Sequence, residues 1–177
     1  METSPDIQKE KKKLFDAAVI EWWREMQPAS EREGQPNRRG ELAELKRCKT
    51  LAEILLVPRF QVLRRKLQAA GYGYLPACAA IGGVLAHVET HNGEHAFAAW
   101  LVLPKVKGGT PRVSELRFRR LLKAKSHDEL FIDLVRILSL ADNTAPVAQL
   151  AYDIYYWGDQ TRCKWTFDYY DALDGSS

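Results

Sequence analysis

The sequence, 177 residues long, has few cysteines and no long apolar run. Cys48, Cys78 and Cys163 lie far apart and form no C-x-x-C pair, which argues against a disulfide framework and against a zinc site. Free cysteine is usually buried, so we expect three reduced and buried thiols. No apolar run approaches the roughly 18 residues that a membrane-spanning helix needs, and residues 1–13 are too polar for a signal peptide. These absences predict a cytoplasmic protein without membrane contact.

The sequence also lacks the common catalytic and nucleotide-binding motifs. It contains no G-x-S-x-G nucleophile elbow, no phosphate loop and no dinucleotide fingerprint, so no catalytic residue and no cofactor is predicted. The nearest motif is His91-Asn-Gly-Glu94-His95, which fits the H-x-x-E-H pattern of the inverzincin metalloproteases. Asn92-Gly93 would weaken the helix that such a site needs, and no third ligand stands at a recognisable spacing. We therefore predict no metal site, while a metal-dependent hydrolase at His91 and His95 is kept as a hypothesis that requires bound zinc.

Helical patterns cover most of the chain, and strand patterns are almost absent. Two capping boxes, at residues 50–53 and 126–129, mark helix starts because their side chains can satisfy free backbone amides. Apolar residues at helical spacing predict a first helix over residues 11–26, and Ser114 is expected to cap a basic helix. Helices joined by short connections predict an all-α fold.

Composition divides the predicted helices into two small helical-bundle lobes. Residues 105–112 are basic and contain two glycines and a proline, which indicates a connector. We predict an N-terminal lobe over residues 1–104, with residues 1–10 flexible, and a C-terminal lobe over residues 113–177. A polar stretch with glycine and proline at residues 28–40 predicts a mobile loop.

Apolar spacing also predicts which faces of the C-terminal helices turn inward. In the basic helix after Ser114, the leucine and phenylalanine positions are expected to face the core, which leaves Arg117, Arg120 and Lys123 outside. In the last helix, aromatic residues among acids are interpreted as core or protein-contact positions, because acidic surroundings repel a nucleic-acid backbone. The residues at these apolar spacings are Leu116, Phe118, Leu121 and Leu122 in the basic helix and Cys163, Phe167 and Tyr170 in the last one. The aromatic residues interpreted as core or protein-contact positions are Tyr155, Tyr156, Trp157, Trp165, Tyr169 and Tyr170.

Basic residues are concentrated in two stretches of the chain. Residues 38–66, the N-terminal basic cluster, contain nine basic and three acidic residues. Residues 105–125, the C-terminal basic cluster, contain eight basic residues and one acid, whereas residues 126–177 contain three basic and nine acidic ones. The net charge of the whole chain is only +3. Segregated charge of this kind predicts a face that binds the phosphates of nucleic acid, with strong salt dependence and without reading bases.

Two other interpretations of the basic clusters stay open. One is a protein-interaction scaffold whose basic helices bind acidic surfaces of partners without touching DNA. The other is a solvated helix face, in which neighbouring charges such as Glu44 and Arg47 form ion pairs within one helix. Two such clusters in one chain argue against the solvated face.

The order and spacing of several strings resemble the CasB family, the small subunit of the type I-E CRISPR Cascade surveillance complex. The most specific string is Ser-Glu-Leu-Arg-Phe-Arg-Arg-Leu-Leu at residues 114–122. The matching strings are distributed over most of the chain, and they are Trp22-Trp23 and residues 41–49, 58–60, 113–124, 133–138 and 156–158.

The resemblance implies a non-catalytic all-α protein that is present in two copies in its complex. It implies as partners the large subunit, the repeated backbone subunits, guide RNA and target DNA. Its role would be to bind nucleic acid without sequence specificity and to stabilise the R-loop, formed by the target strand and the displaced non-target strand, in antiviral defence. Carried onto matching positions, the family's DNA contacts fall on Arg47, Arg117, Lys123 and Arg136. Charge adds four further candidates, Arg119, Arg120, Lys49 and Arg64.

Overall fold

The computed structural model describes residues 4–28 and 38–175. Within these ranges the chain is mostly helical, which confirms the all-α prediction, and none of the helices is long and apolar enough to cross a membrane. Most of the loop predicted over residues 28–40 lies outside the described residues. The helices are α1 (Pro5–Met26), α2 (Arg39–Arg47), α3 (Leu51–Leu55), α4 (Pro58–Ala69), α5 (Leu75–Leu85), α6 (Phe97–Val102), α7 (Glu115–Leu121), α8 (His127–Leu140), α9 (Val147–Tyr155) and α10 (Asp159–Gly175), and the strands are β1 (Thr90–His91) and β2 (Thr144–Ala145).

Both predicted capping boxes start a helix. The Oγ1 atom of Thr50 accepts a hydrogen bond from the backbone N of Glu53 at 3.2 Å, at the start of α3. The Glu53 carboxylate in turn accepts from the backbone N of Lys49 at 2.6 Å, one residue before the cap. Residues 126–129 repeat this arrangement at the start of α8. Ser114 stands at the predicted cap position of α7, but its side chain makes no capping hydrogen bond.

The first helix is longer than predicted. It begins at Pro5, six residues before the expected start, so the segment predicted to be flexible is helical from that point. Its indole groups tie it to other elements: Trp22 Nε1 donates to the carbonyl oxygen of Arg59 at 3.0 Å, and Trp23 Nε1 donates to that of Val88 at 2.8 Å. α1 is thereby fixed against α4 and against the segment that follows α5.

Glycines of α5 allow two other helices to meet. A Cβ atom on Gly83 would lie 2.3 Å from Cδ1 of Ile54 on α3 and 2.6 Å from Cε2 of Phe131 on α8. Side chains of α3 and α8 therefore both fill the space beside this one glycine of α5. On Gly82 a Cβ would lie 2.9 Å from Phe60 of α4. Close packing thus explains why α5 carries glycines, which cost a helix about 0.5–1 kcal/mol each relative to alanine.

Helices before and after residues 105–112 pack against one another. α10 lies on α6, α1 lies on α9, and α5 contacts both α8 and α9, so one hydrophobic core contains residues from both parts of the chain. The guanidinium of Arg112 lies 3.8 Å from the centre of the Trp100 ring, and its Nε donates to Asp142 at 3.2 Å. The division into two lobes stays a prediction, and any such lobes share this core.

Trp165 and Tyr169 of α10 are buried as predicted, whereas three other apolar positions of the C-terminal helices are exposed. In α10, Cys163 and Phe167 are exposed, because the opposite face packs on α6, where the Trp165 ring lies 5.4 Å from the ring of Phe97. The expectation of three buried cysteines therefore holds for the first two only. In α7, Leu116 is 81% exposed, although it was expected in the core. The buried residues of α10 are Thr161, Trp165 and Tyr169.

Candidate nucleic-acid interface

The short helix α7 packs on α8 and leaves a groove between them, the α7–α8 groove. Phe118 and Leu121 anchor α7 in the core, so the arginines between them project to the surface. The groove has a volume of about 130 Å³, and its wall combines basic and apolar side chains. Its lining residues are Arg117, Arg120, Leu121, Asp133, Arg136, Ile137 and Leu140.

Two shallower grooves adjoin the α7–α8 groove. One, of about 310 Å³, is lined in part by Arg120, Lys123 and Ile132. The other, of about 520 Å³, is lined in part by Arg119, Arg120 and Lys123 beside the exposed Leu116. Arg120 lines all three grooves. The structure therefore brings together three positions carried over from the resemblance, Arg117, Lys123 and Arg136, around Arg120, a residue that charge alone had added.

The basic groups of this surface are mostly free to accept a new anion. Within residues 4–28 and 38–175, no carboxylate lies within ion-pair distance of Arg117, Arg120 or Lys123. Arg136 lies 3.6 Å from Asp133, and its side chain is 66% exposed; Arg119 forms a similar exposed pair with the acid one turn before it, at 3.8 Å. Exposed pairs within one helix stabilise by only about 0.3–0.5 kcal/mol. A phosphate can replace such a carboxylate at little cost.

The remaining candidates belong to the N-terminal basic cluster. Arg47 ends α2, and Lys49 lies between α2 and α3; both are exposed, and neither forms an ion pair in the described part of the chain. Arg64 on α4 is half-buried and donates to Gln61 and Gln68 of its own helix at 2.7 and 3.1 Å. None of these three candidates lines the α7–α8 groove.

The contacts of α8 fix which of its residues face solvent. Phe131 of α8 lies beside Gly83 of α5, while Asp133 and Ile137 line the groove beside α7. Successive residues of a helix are rotated by about 100°, so the directions of Phe131 and Asp133 differ by about 200°. α5 and α7 consequently flank α8 on opposite sides, and the exposed residues Ile132 and Arg136 of α8 lie between them.

Among the described residues of the N-terminal basic cluster, Lys46, Arg59 and Lys66 form ion pairs with acids of other elements. Arg59, whose side chain is 3% exposed, donates to Glu25 of α1, which lies outside the cluster. Burial raises the pKa of Glu25, but the hydrogen bond and charge of Arg59 and two further cations outweigh it and leave that pKa below its usual value. The other pairs are Lys46 with Glu89 at 3.1 Å, Lys66 with Glu21 at 2.6 Å and Arg38 with Glu41 at 3.2 Å.

The histidine motif does not form the geometry of a zinc site. His91 lies in β1, where its Nδ1 accepts a hydrogen bond from the backbone N of Val147 at 3.2 Å. His95 is four residues further on and stacks against Trp100, with ring centres 6.2 Å apart. Among the described residues, no group of three or more histidine, cysteine or acidic side chains is placed to hold a metal ion.

Sequence reasoning missed the apolar part of the groove. Leu140 is only partly buried and lines the groove with three arginines. No local signal distinguishes it from the core leucines of α8, because its exposure depends on how far α7 extends along its neighbour.

Comparison with known proteins gives one family and a set of solved structures. The family described as CRISPR-associated protein Cse2 matches residues 41–170. Among the solved structures, one chain in the crystal structure of Escherichia coli Cascade bound to a PAM-containing double-stranded DNA target has a TM-score of 0.64, at 18% sequence identity. The match covers 89% of this chain and 97% of that one, and at this identity it shows a shared fold. No curated protein sequence matches the chain.

Proposed function

Since the chain belongs to the CRISPR-associated Cse2 family, we propose that it is the non-catalytic small subunit of a type I-E Cascade complex in the cytoplasm. Its partners are the large subunit, the repeated backbone subunits, guide RNA and target DNA, and two copies act in each complex. Its task is to hold opened DNA strands of the R-loop by their sugar-phosphate backbones. The shared fold with a chain of the Escherichia coli complex supports this proposal.

One observation carries the DNA-binding part of the proposal. Arg117, Arg120 and Lys123 project from one surface and form no ion pair within the described ranges, although the chain contains nearly as many acids as bases. Leaving cations together and unpaired costs repulsion, which a bound polyanion relieves. Such a surface binds phosphates of any sequence, because phosphate contacts carry no base information.

The proposed role needs only weak contacts. Replacing a DNA duplex by an RNA–DNA hybrid is nearly balanced in free energy, so a few backbone contacts can decide whether the R-loop persists. Each phosphate neutralised on a single strand contributes about −0.7 to the slope of log K against log salt. The free subunit binds weakly, and the assembled complex supplies the effective concentration.

The test is a reconstituted complex that contains Arg117→Glu and Lys123→Glu. We expect the lifetime of the R-loop to fall at least about tenfold at physiological salt, and the salt slope to lose about 1.4 units per subunit for two lost contacts. A matched variant with Lys9→Glu and Lys13→Glu changes the net charge equally on α1, away from the groove, and should keep the normal lifetime. An unchanged lifetime in a normally assembled complex would refute the DNA-holding role.

The scaffold alternative predicts a different result. If the basic helices bind acidic protein surfaces, the same charge reversals prevent the subunit from joining the complex. Crosslinks from bound DNA to residues 114–125 would then be missing in the unmodified complex. Size-exclusion chromatography of the assembled complex, followed by crosslinking, separates the two functions.

A further inference from the structure

The α7–α8 groove combines three guanidinium groups with an apolar floor. Leu121 and Ile137 are buried beneath it, and the side chain of Leu140 is the floor residue that solvent reaches most. Arg117, Arg120 and Arg136 stand around this floor. The one acid of the groove is Asp133, which lies 3.6 Å from Arg136.

Phosphate binding alone does not require this combination. A phosphate is bound through charged hydrogen-bond donors, and an apolar side chain offers it no hydrogen bond. An aromatic ring does gain from such a surface, because its faces are apolar and attract guanidinium groups. The floor of the groove therefore indicates a ligand with a flat apolar part beside its negative charge.

The size of the groove fits one ring system. Its volume of about 130 Å³ is close to that of the roughly 150 Å³ cavity that accommodates benzene in an engineered protein. In a duplex each base is stacked between its neighbours, so its faces are not accessible to side chains. A base of a single strand can leave the stack and rest on a protein surface while the adjoining phosphates contact arginines.

We infer that the α7–α8 groove seats one unstacked base of single-stranded DNA. This inference rests on the proposed function and adds a substrate class to it: the groove selects single strand over duplex. Leu140 supplies the apolar contact, and the arginines contact both the face of the base and the phosphates beside it. The groove reads no sequence, because every base has a flat face.

The test uses the full-length protein and fluorescence anisotropy at low salt with three probes: a thymidine 20-mer, an abasic strand with the same number of phosphates, and a duplex of the same length. We expect the thymidine strand to bind at least about fivefold more tightly than the abasic strand, which is the lower end of the range for base stacking on a protein. Equal affinity for the thymidine and abasic strands would overturn the inference.

Two variants test the groove itself. Leu140→Gln keeps charge and approximate size, and the pair Arg117→Lys with Arg136→Lys keeps charge but removes two planar groups. Both variants should bring the ratio of the affinities for the thymidine strand and the abasic strand close to one. Their affinity for the duplex should stay the same. The control Leu14→Gln makes the first change at another partly exposed leucine, on α1, and should keep the preference. If the preference persists in both groove variants, the base is bound elsewhere and the inference is wrong.

Failure of the inference and failure of the proposed function give different results. Loss of the base preference alone, with affinity still lowered by Arg117→Glu and Lys123→Glu, refutes the base site and leaves backbone binding intact. If the two charge reversals leave the affinity for all three probes unchanged, both the proposed function and the inference are refuted.

Discussion

The two basic clusters look alike in sequence and differ in structure. In the N-terminal cluster, Lys46, Arg59 and Lys66 each form an ion pair with a carboxylate of another element. In the C-terminal cluster, Arg117 and Arg120 on α7 have no such partner among the described residues. Clusters of similar local charge therefore differ in their ion pairs: three cations of the first join elements to one another, whereas Arg117 and Arg120 of the second stay available for an anion.

The difference arises from acids that lie outside the clusters in the sequence. Glu21, Glu25 and Glu89 neutralise the N-terminal cluster from α1 and from the segment after α5. Residues 126–177 contain nine acids, but Asp153 and Asp168 belong to α9 and α10, whereas α7 packs on α8, where Asp133 lies beside Arg136. Which cations stay free is thus decided by helix packing and cannot be counted from a window of sequence.

The largest effect is expected for Arg59, the buried member of the N-terminal cluster. Arg59→Ala removes the partner of Glu25 and leaves a partly buried carboxylate and a space beside Trp22. Breaking a buried pair by removing one partner costs about 3–5 kcal/mol, and since Glu25 is 27% exposed we expect about 3 kcal/mol. Urea denaturation measures this loss in the free energy of unfolding.

Arg65→Ala is the matched control for Arg59→Ala. Arg65 is an exposed arginine of the same helix, α4, and its loss should change the free energy of unfolding by less than about 0.5 kcal/mol. If the two variants were equally stable, the N-terminal cluster would not be a structural network, and the contrast between the clusters would disappear.

A smaller effect separates free from paired cations within the N-terminal cluster. Arg47→Ala removes an exposed cation, and we expect affinity for single-stranded DNA to fall about threefold and the salt slope to decrease by about 0.7. The double variant Lys46→Met with Glu89→Gln removes a neighbouring ion pair at constant net charge. It should bind DNA like the unmodified protein.

Anisotropy titrations at several salt concentrations measure both quantities. Equal losses in the two variants would mean that Lys46 exchanges Glu89 for phosphate when DNA binds. Cations that form ion pairs in the free protein would then belong to the DNA interface as well. The exposure of a cation, and not its lack of an ion pair, would then distinguish binding residues from structural ones.

Local signals predicted the elements of the fold better than their faces. The capping boxes at residues 50–53 and 126–129 act through atoms a few residues apart, so they could be read directly. The pairing of β1 with β2 joins residues 54 positions apart, Thr90 and Thr144, and leaves no local pattern. The first turns of α1 are charged and polar, which hid them from a prediction based on apolar spacing.

The sequence predicted Trp165 and Tyr169 as core or protein-contact residues, and both are buried in α10, but the apolar spacing of this helix also included residues that turn outward. Cys163 and Phe167 form an apolar pair at helical spacing, but Trp165 and Tyr169 form another on the opposite side. The neighbouring helices decide which side is buried. The indole of Trp165 packs against Phe97 of α6, and the phenol ring of Tyr169 stacks on Phe118 of α7. Periodicity alone gives two solutions when a helix carries apolar residues on both sides.

The candidate site was predictable in its charges and not in its shape. Arg117, Lys123 and Arg136 were named from the CasB resemblance, and their common surface depends on α7 lying along α8. The apolar floor was not foreseen, because Leu140 fits the core pattern of α8 and becomes partly exposed only where α7 ends. Their binding role stays a prediction until the DNA experiments are made.

The smallest effect concerns the basic segment between the two regions, where Lys105 and Arg112 share one acid. Lys105 donates to Asp142 at 2.5 Å and Arg112 at 3.2 Å, and the hydrogen bond from Lys105 is the main reason that the pKa of Asp142 lies below its usual 3.8. A carboxylate whose pKa is lowered by folding stabilises the protein above its unfolded pKa, and this contribution is lost as pH falls through the folded pKa. Asp142→Asn should therefore cost about 0.5 kcal/mol at neutral pH, since the acid is 43% exposed, and this cost should disappear as pH falls through the lowered pKa of Asp142.

Asparagine is the suitable replacement because residue 142 has a φ of 58°, a conformation that asparagine tolerates and alanine does not. Thermal denaturation of both proteins from neutral to acid pH measures the difference. The control Glu94→Gln changes an exposed acid that has no ion pair in the described part of the chain, and should show no such trend. A cost for Asp142→Asn that is the same at neutral and at acid pH would mean that the turn, and not the charge, holds the segment. Lys105 and Arg112 would then count as free cations, and the available charge of the C-terminal cluster would be larger than its ion pairs indicate.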